Sequence, residues 1–144
     1  MEIDSVYQDI ILEYSRRKDN KKELSGDVSA ERGHNPNCGD DLTLLIKHKD
    51  GVVEDASYLG NGCAISTAST NMLIDLIKGK QLEDAKNKVE VFFKMMSSSE
   101  DITEEQKDEL EDAQMLEYFS KMPARIKCAT LSWHSAKVIL EQQK

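Results

Sequence analysis

The apolar positions of the chain change period several times, and each change marks an element. Ile3, Val6, Tyr7, Ile10, Ile11 and Tyr14 recur at three- and four-residue steps, the spacing of one helix face. They predict an amphipathic helix over 4–18, with Asp4 or Ser5 as its cap. The basic run Arg16-Arg17-Lys18 at its end suits the negative pole of the helix dipole. Residues 19–34 are polar, contain Gly26 and Gly33, and read as a loop with a short strand near Val28-Ser29-Ala30. The pattern then becomes strand-like. Leu42, Thr43, Leu44, Leu45 and Ile46 mark a strand over 41–48, Asp50-Gly51 is a hairpin signal, and 52–59 is the return strand. Helical spacing resumes over 63–78 (Ile65, Ala68, Met72, Leu73, Leu76, Ile77) and again over 81–96 (Leu82, Ala85, Val89, Phe92, Phe93, Met96). Ser97-Ser98-Ser99 links to a further helix, which the capping box Thr103-Glu104-Glu105-Gln106 opens and which runs to about Lys121. Pro123 breaks the chain. Arg125-Ile126-Lys127-Cys128 then leads into a last helix with Ala129, Trp133, Ala136, Ile139 and Leu140 facing inward.

One helix, a hairpin and a run of helices within 144 residues predict a single α+β domain spanning 1–144. Composition adds limits. No apolar run approaches the roughly 18–20 residues that span a bilayer. The N-terminus Met1-Glu2-Ile3-Asp4 lacks the basic and apolar regions of a signal peptide. A cytoplasmic protein with no membrane association is expected. A net charge of −8 disfavours phosphate backbones, so no nucleic-acid partner is expected. Much of that charge is local: eight acids and one lysine lie between Glu100 and Asp112. The stretch reads as a solvated helix face, and its sharper reading is a docking face for a basic partner.

The candidate chemistry lies in three cysteines, Cys38, Cys63 and Cys128, and in Asp40, two residues after the first. Three cysteines cannot all pair, and a reducing compartment disfavours disulfides. Metal binding, thiol chemistry or burial remain. The first cysteine precedes one strand of the hairpin and Cys63 follows the other, so the hairpin brings Cys38, Asp40 and Cys63 together. Gly60 and Gly62 permit a tight strand-to-helix turn. Cys63 then stands at a helix N-terminus, which favours a thiolate. Cys128 is placed at or near the start of the last helix. Together these predict a thiolate-rich metal site of Cys38, Asp40, Cys63 and Cys128 at one end of the domain. Such a set suits tetrahedral zinc, and it also suits iron or an iron–sulfur cluster. The Asp40 oxygen is the hardest donor and the ligand most readily exchanged. There is no CxxC pair. His34, four residues before Cys38, reads as a solvated loop histidine or a neighbour of the site, and His48 and His134 have no catalytic context.

Three motifs carry a resemblance. Asn-Pro-Asn-Cys-Gly-Asp (35–40), Gly-Asn-Gly-Cys-Ala-Ile-Ser-Thr-Ala-Ser (60–69) and Arg-Ile-Lys-Cys-Ala-Thr-Leu-Ser-Trp (125–133) resemble the SufU branch of the IscU/NifU N-terminal family. The resemblance implies a small antiparallel sheet of about three strands packed by five to six helices. It implies iron–sulfur cluster biogenesis, with zinc on Cys38, Asp40, Cys63 and Cys128. Cys38 would accept persulfide sulfur from a SufS-type cysteine desulfurase and carry it toward downstream iron–sulfur assembly proteins. Arg125 would help to dock the partner or position the persulfide. Lys127 stands where scaffold-type IscU has a histidine, and Met122-Pro123-Ala124-Arg125-Ile126 departs from the chaperone-recognised Leu-Pro-Pro-Val-Lys. The acidic stretch falls where SufU proteins carry an insertion. These departures favour sulfur transfer. The alternative is a scaffold on which a labile 2Fe–2S cluster is assembled and transferred.

Overall fold

Strand parity decides the architecture. Along β2 (Asp40–Lys49), Asp40, Leu42, Leu44 and Ile46 are fully buried, while Asp41, Thr43 and Lys47 are only partly covered. Alternate side chains leave a strand on opposite faces, so one face of the sheet is apolar and must be covered by helices. The computed structural model describes residues 5–98 and 101–142; Ile3 and Asp4 of the expected first helix, Ser99 of the linker and Glu100 of the acidic run lie outside the described residues.

The element order is α1 (Ser5–Arg16), β1 (Val28–Asn35), β2 (Asp40–Lys49), β3 (Val52–Asn61), α2 (Ala64–Ile77), α3 (Leu82–Met96), α4 (Glu104–Asp108), a 3-10 helix (Glu111–Phe119) and α5 (Pro123–Gln142). The three strands form an antiparallel sheet in the order β1-β2-β3. The α+β class and the small three-stranded sheet agree with the expectation. Asp50 and Gly51 take positive φ at the β2–β3 turn, as a two-residue hairpin of this kind requires.

Four local readings change. Residues 28–35 form a complete strand, not a short one within a loop. Their residues Ser-Ala-Glu-Arg-Gly-His are mostly polar because β1 is an edge strand, and its outer face reaches water. The expected helix from Thr103 to Lys121 is instead a short α4 with the predicted capping box, then a 3-10 segment. Glu111 takes φ of 52° at the joint, a conformation no α-helix continues through. Pro123 opens α5 rather than preceding it, because proline suits the first helical position. Val6 and Tyr7 of the expected apolar stripe are exposed, and Ile11 is the buried residue of α1.

The core sits between the sheet and the helices, with Trp133 at its centre and 0% exposed. The Trp133 indole stacks on Phe92 at 3.7 Å between ring centroids. Its Nε1–H donates to Ser69 Oγ at 2.8 Å, and that hydroxyl donates to the Ala129 carbonyl. Thr70 Oγ1 and Ser132 Oγ share a second hydrogen bond at 2.6 Å. Small residues let α2 and α5 approach closely, and these bonds tie them. Trp133→Ala is expected to cost about 3–5 kcal/mol, the range for deleting a large aromatic from a packed core, read as a lower urea midpoint. A change below 1 kcal/mol would mean that the α2–α5 seam is held elsewhere.

Candidate metal centre

Asn35-Pro36-Asn37-Cys38 forms a β-turn. The Cys38 amide donates to the Asn35 carbonyl at 3.2 Å, and Pro36 occupies the position that favours proline's fixed φ. Gly39 follows with φ of 72°. Cys38 therefore sits half-buried on the tip of the β1–β2 hairpin, and the chain enters β2 at Asp40. The β2 parity then turns Asp40 inward, beside Leu42, and leaves Asp41 outward. The two neighbouring carboxylates meet different fates. Asp41 pairs with Arg32 at 2.7 Å, which holds its carboxyl below the usual range. Asp40 is 0% exposed.

The second arm comes from the β3–α2 turn. Gly60 has φ of 100°, and a Cβ there would lie 2.1 Å from the Asp41 carbonyl oxygen. Only glycine lets β3 lie this close to β2 as it turns into α2. Gly60→Ala is expected to destabilise by about 3 kcal/mol or more and to weaken metal binding in parallel, as urea unfolding and metal titration would show. A stable variant with wild-type metal affinity would contradict this view of the turn.

Cys63 caps α2, and its sulfur accepts the Ser66 amide N–H at 3.4 Å. The Cys63 amide donates to Asp40 Oδ1 at 2.7 Å, and the Ser66 hydroxyl donates to the same oxygen at 3.0 Å. The other oxygen, Asp40 Oδ2, is buried without a hydrogen-bond partner. Cys128 supplies the third arm. It lies in the second turn of α5 rather than at its start, because the helix begins at Pro123. Its Sγ lies 3.2 Å from Cys38 Sγ and 3.8 Å from the Asn35 amide nitrogen, which donates to it. Burial pushes the Cys128 thiol well above its ordinary range, and the hydrogen bond to Cys38 adds to the rise.

Ligand atoms of Cys38, Asp40 and Cys128 all lie within 4.8 Å of one another. The structure thus gathers three of the four expected residues tightly. Cys63 borders them, with its amide on Asp40 and its sulfur on the helix cap. A metal fits this donor set. A buried carboxylate oxygen without a partner costs about 1–3 kcal/mol or more, and a cation removes that cost. Soft sulfurs beside one hard oxygen suit zinc or iron.

Arg125 is exposed in the first turn of α5. With Cys63 it borders a groove of about 410 Å³ floored by Ile11, Ile65 and Phe119. His34 is exposed, as is His134, which lies against Phe93. Asn35 and Ser66 were not singled out in the sequence. The signals were present: Asn35 faces Asp40 across the β1–β2 pair, and Ser66 stands three residues past the capping cysteine.

Residues 6–129 match the family described as NifU-like N terminal domain. The chain is 39% identical over 131 residues to the zinc-dependent sulfurtransferase SufU of Bacillus subtilis, covering 91% of this chain and 86% of that one. It is 34% identical over 140 residues to the iron-sulfur cluster assembly scaffold protein IscU of Streptococcus pyogenes, covering 97% and 86%. A crystal structure of a putative iron-sulfur cluster assembly scaffold protein for the SUF system, from Fervidobacterium islandicum, superposes with a TM-score of 0.83 at 29% identity. That match covers 94% of this chain and 97% of the other. Among the described residues no helix is long and apolar enough to cross a membrane.

Proposed function

The chain belongs to the family of NifU-like N-terminal domains, and from that membership and the cysteine–aspartate cluster we propose that it serves iron–sulfur cluster biogenesis as a zinc-dependent acceptor and carrier of persulfide sulfur. The donor is a SufS-type cysteine desulfurase, and the protein is its sulfur-transfer partner rather than a stand-alone enzyme. The observation that carries the metal centre is the Asp40 carboxylate, gathered with the Cys38 and Cys128 thiols, whose buried Oδ2 has no hydrogen-bond partner. Support for sulfur transfer comes from the named activity of the Bacillus relative and from the position of Cys38.

Cys38, Asp40, Cys63 and Cys128 are the ligands of this reading. Bound zinc keeps its thiol ligands deprotonated. Cys38 is the acceptor because it sits on a hairpin tip, half-exposed to an approaching partner, whereas Cys63, also half-buried, has its sulfur engaged at the α2 cap and Cys128 is 1% exposed. Its sulfur attacks the terminal sulfur of the desulfurase persulfide. One S–S bond forms on Cys38, one breaks, and the partner's cysteine leaves as its thiolate. Arg125 and the apolar groove beside Cys63 receive the partner's surface. Asn35 and Cys128 hold the Cys38 turn against the sheet end.

The second reading is a scaffold that assembles a labile 2Fe–2S cluster on the same residues. The Streptococcus relative bears that name, and thiols with one carboxylate suit iron as well. The test is incubation with desulfurase and cysteine, followed by mass analysis of the chain. Persulfide on Cys38 with zinc retained is the expected result. An unmodified chain that takes up a stoichiometric cluster under anaerobic iron loading would support the scaffold instead.

A further inference from the structure

We propose that Ser66 is a positioning residue for the metal centre: its hydroxyl, together with the Cys63 amide, occupies Asp40 Oδ1 and so reserves Oδ2 as the one oxygen offered to a metal. This rests on the reading of the cluster as a metal site.

Both donors converge on one oxygen. Cys63 N–H lies 2.7 Å from Oδ1 and Ser66 Oγ 3.0 Å from it, and Oδ2 has neither. A carboxylate held this way cannot turn its two oxygens equally toward a cation. Ser66 has a single hydroxyl proton and two acceptors within reach, Asp40 Oδ1 and the Cys63 carbonyl at 3.1 Å. The Asp40 contact is the shorter of the two, so the proton is assigned to Asp40. Ser66 is 1% exposed, so the bond lies inside the fold. The neighbouring chain is cut to fit it. A Cβ on Gly62 would lie 2.3 Å from Ser66 Oγ and 3.1 Å from Asp40 Oδ1. The α2 helix thereby contributes twice to the site, through the cap residue Cys63 and through a hydroxyl one turn later.

Outer contacts that orient a ligand are worth about 10–100-fold in metal affinity. Asp40 is the lone oxygen donor among sulfurs, so a loss of that size is expected here when Ser66 no longer holds its carboxylate.

The experiment uses the full chain with cobalt(II) as probe. Affinity is measured by competition with a chromophoric chelator for wild type, Ser66→Ala, Asp40→Ala and the double variant. Ser66→Ala is expected to weaken cobalt by about 10–100-fold with the thiolate-to-cobalt charge-transfer absorption unchanged. In the Asp40→Ala background the second change is expected to add nothing, since both act on one contact. The cobalt-induced rise in Tm, taken against each variant's own metal-free form, is expected to shrink in Ser66→Ala. An equal rise, full additivity, or loss of thiolate absorption would overturn the proposal, the last by placing the effect on the Cys63 cap. A wild-type chain that binds no cobalt removes the metal reading and this proposal with it. Wild-type binding that Ser66→Ala leaves unchanged removes this proposal alone.

Discussion

Cys38→Ala is expected to abolish persulfide acceptance while leaving a folded protein. The loss should reach the uncatalysed background, a drop of more than about a hundredfold, as when a nucleophile is removed from a catalytic unit. The fold should survive because Cys38 is half-buried on a turn whose geometry is set by Pro36 and by the Cys38 backbone amide. Alanine keeps both. The other thiols do not substitute in this account. Cys128 is buried in the second turn of α5. Cys63 holds the α2 cap and the Asp40 contact. Mass analysis after incubation with desulfurase and cysteine checks the result. Sulfur loading of the variant at the wild-type level, on Cys63 or Cys128, would show that the hairpin tip is not the acceptor.

Removal of the metal is expected to lower Tm by about 10 °C or more. A ligand present at about a thousand times its dissociation constant stabilises the folded state by about 4 kcal/mol. For a chain of this size each kcal/mol moves Tm by roughly 3 °C. The structural reason is Asp40, whose carboxylate gathers with the Cys38 and Cys128 thiols: without a cation its buried Oδ2 has no partner. The residues that lose most are not in the core. They are the β1–β2 turn, the β3–α2 turn and the first turns of α5, which meet at the cluster. Hydrogen exchange before and after chelation should show those three segments opening first. Unchanged Tm and unchanged exchange after complete chelation would mean that the fold assembles the cluster without help from a metal.

Much of this was readable from the chain, and the misses share a cause. Helices α2, α3 and α5 announced themselves because their apolar stripes face a continuous core. The β2–β3 hairpin did so through Asp50-Gly51 and the Leu-rich β2. β1 carries little apolar signal because an edge strand has a solvated face, and a sequence without that signal does not show that Cys38 sits on a hairpin tip. The 3-10 segment buries Leu110, Ala113, Leu116 and Phe119 in a strict three-residue step, which the capping box at Thr103 and the apolar Met115 beside Leu116 disguise as a continued α-helix. The acidic run was placed on a helix face, and its described residues from Asp101 to Asp112 are indeed largely exposed. At the site, residue type and motif point to Cys38, Asp40, Cys63 and Cys128. The burial of Asp40 followed from its parity with Leu42, Leu44 and Ile46, a legible pattern. The one-sided hydrogen bonding of its carboxylate was not legible, since it depends on where the first turn of α2 lies.

The measurement that bears most directly on the central claim is alanine release by the partner cysteine desulfurase, with and without the zinc-loaded protein. The account predicts strong stimulation, sulfur left as persulfide on Cys38, and loss of both with Cys38→Ala. Alanine release unchanged by the zinc-loaded chain, with no sulfur on any of its three cysteines, would contradict it.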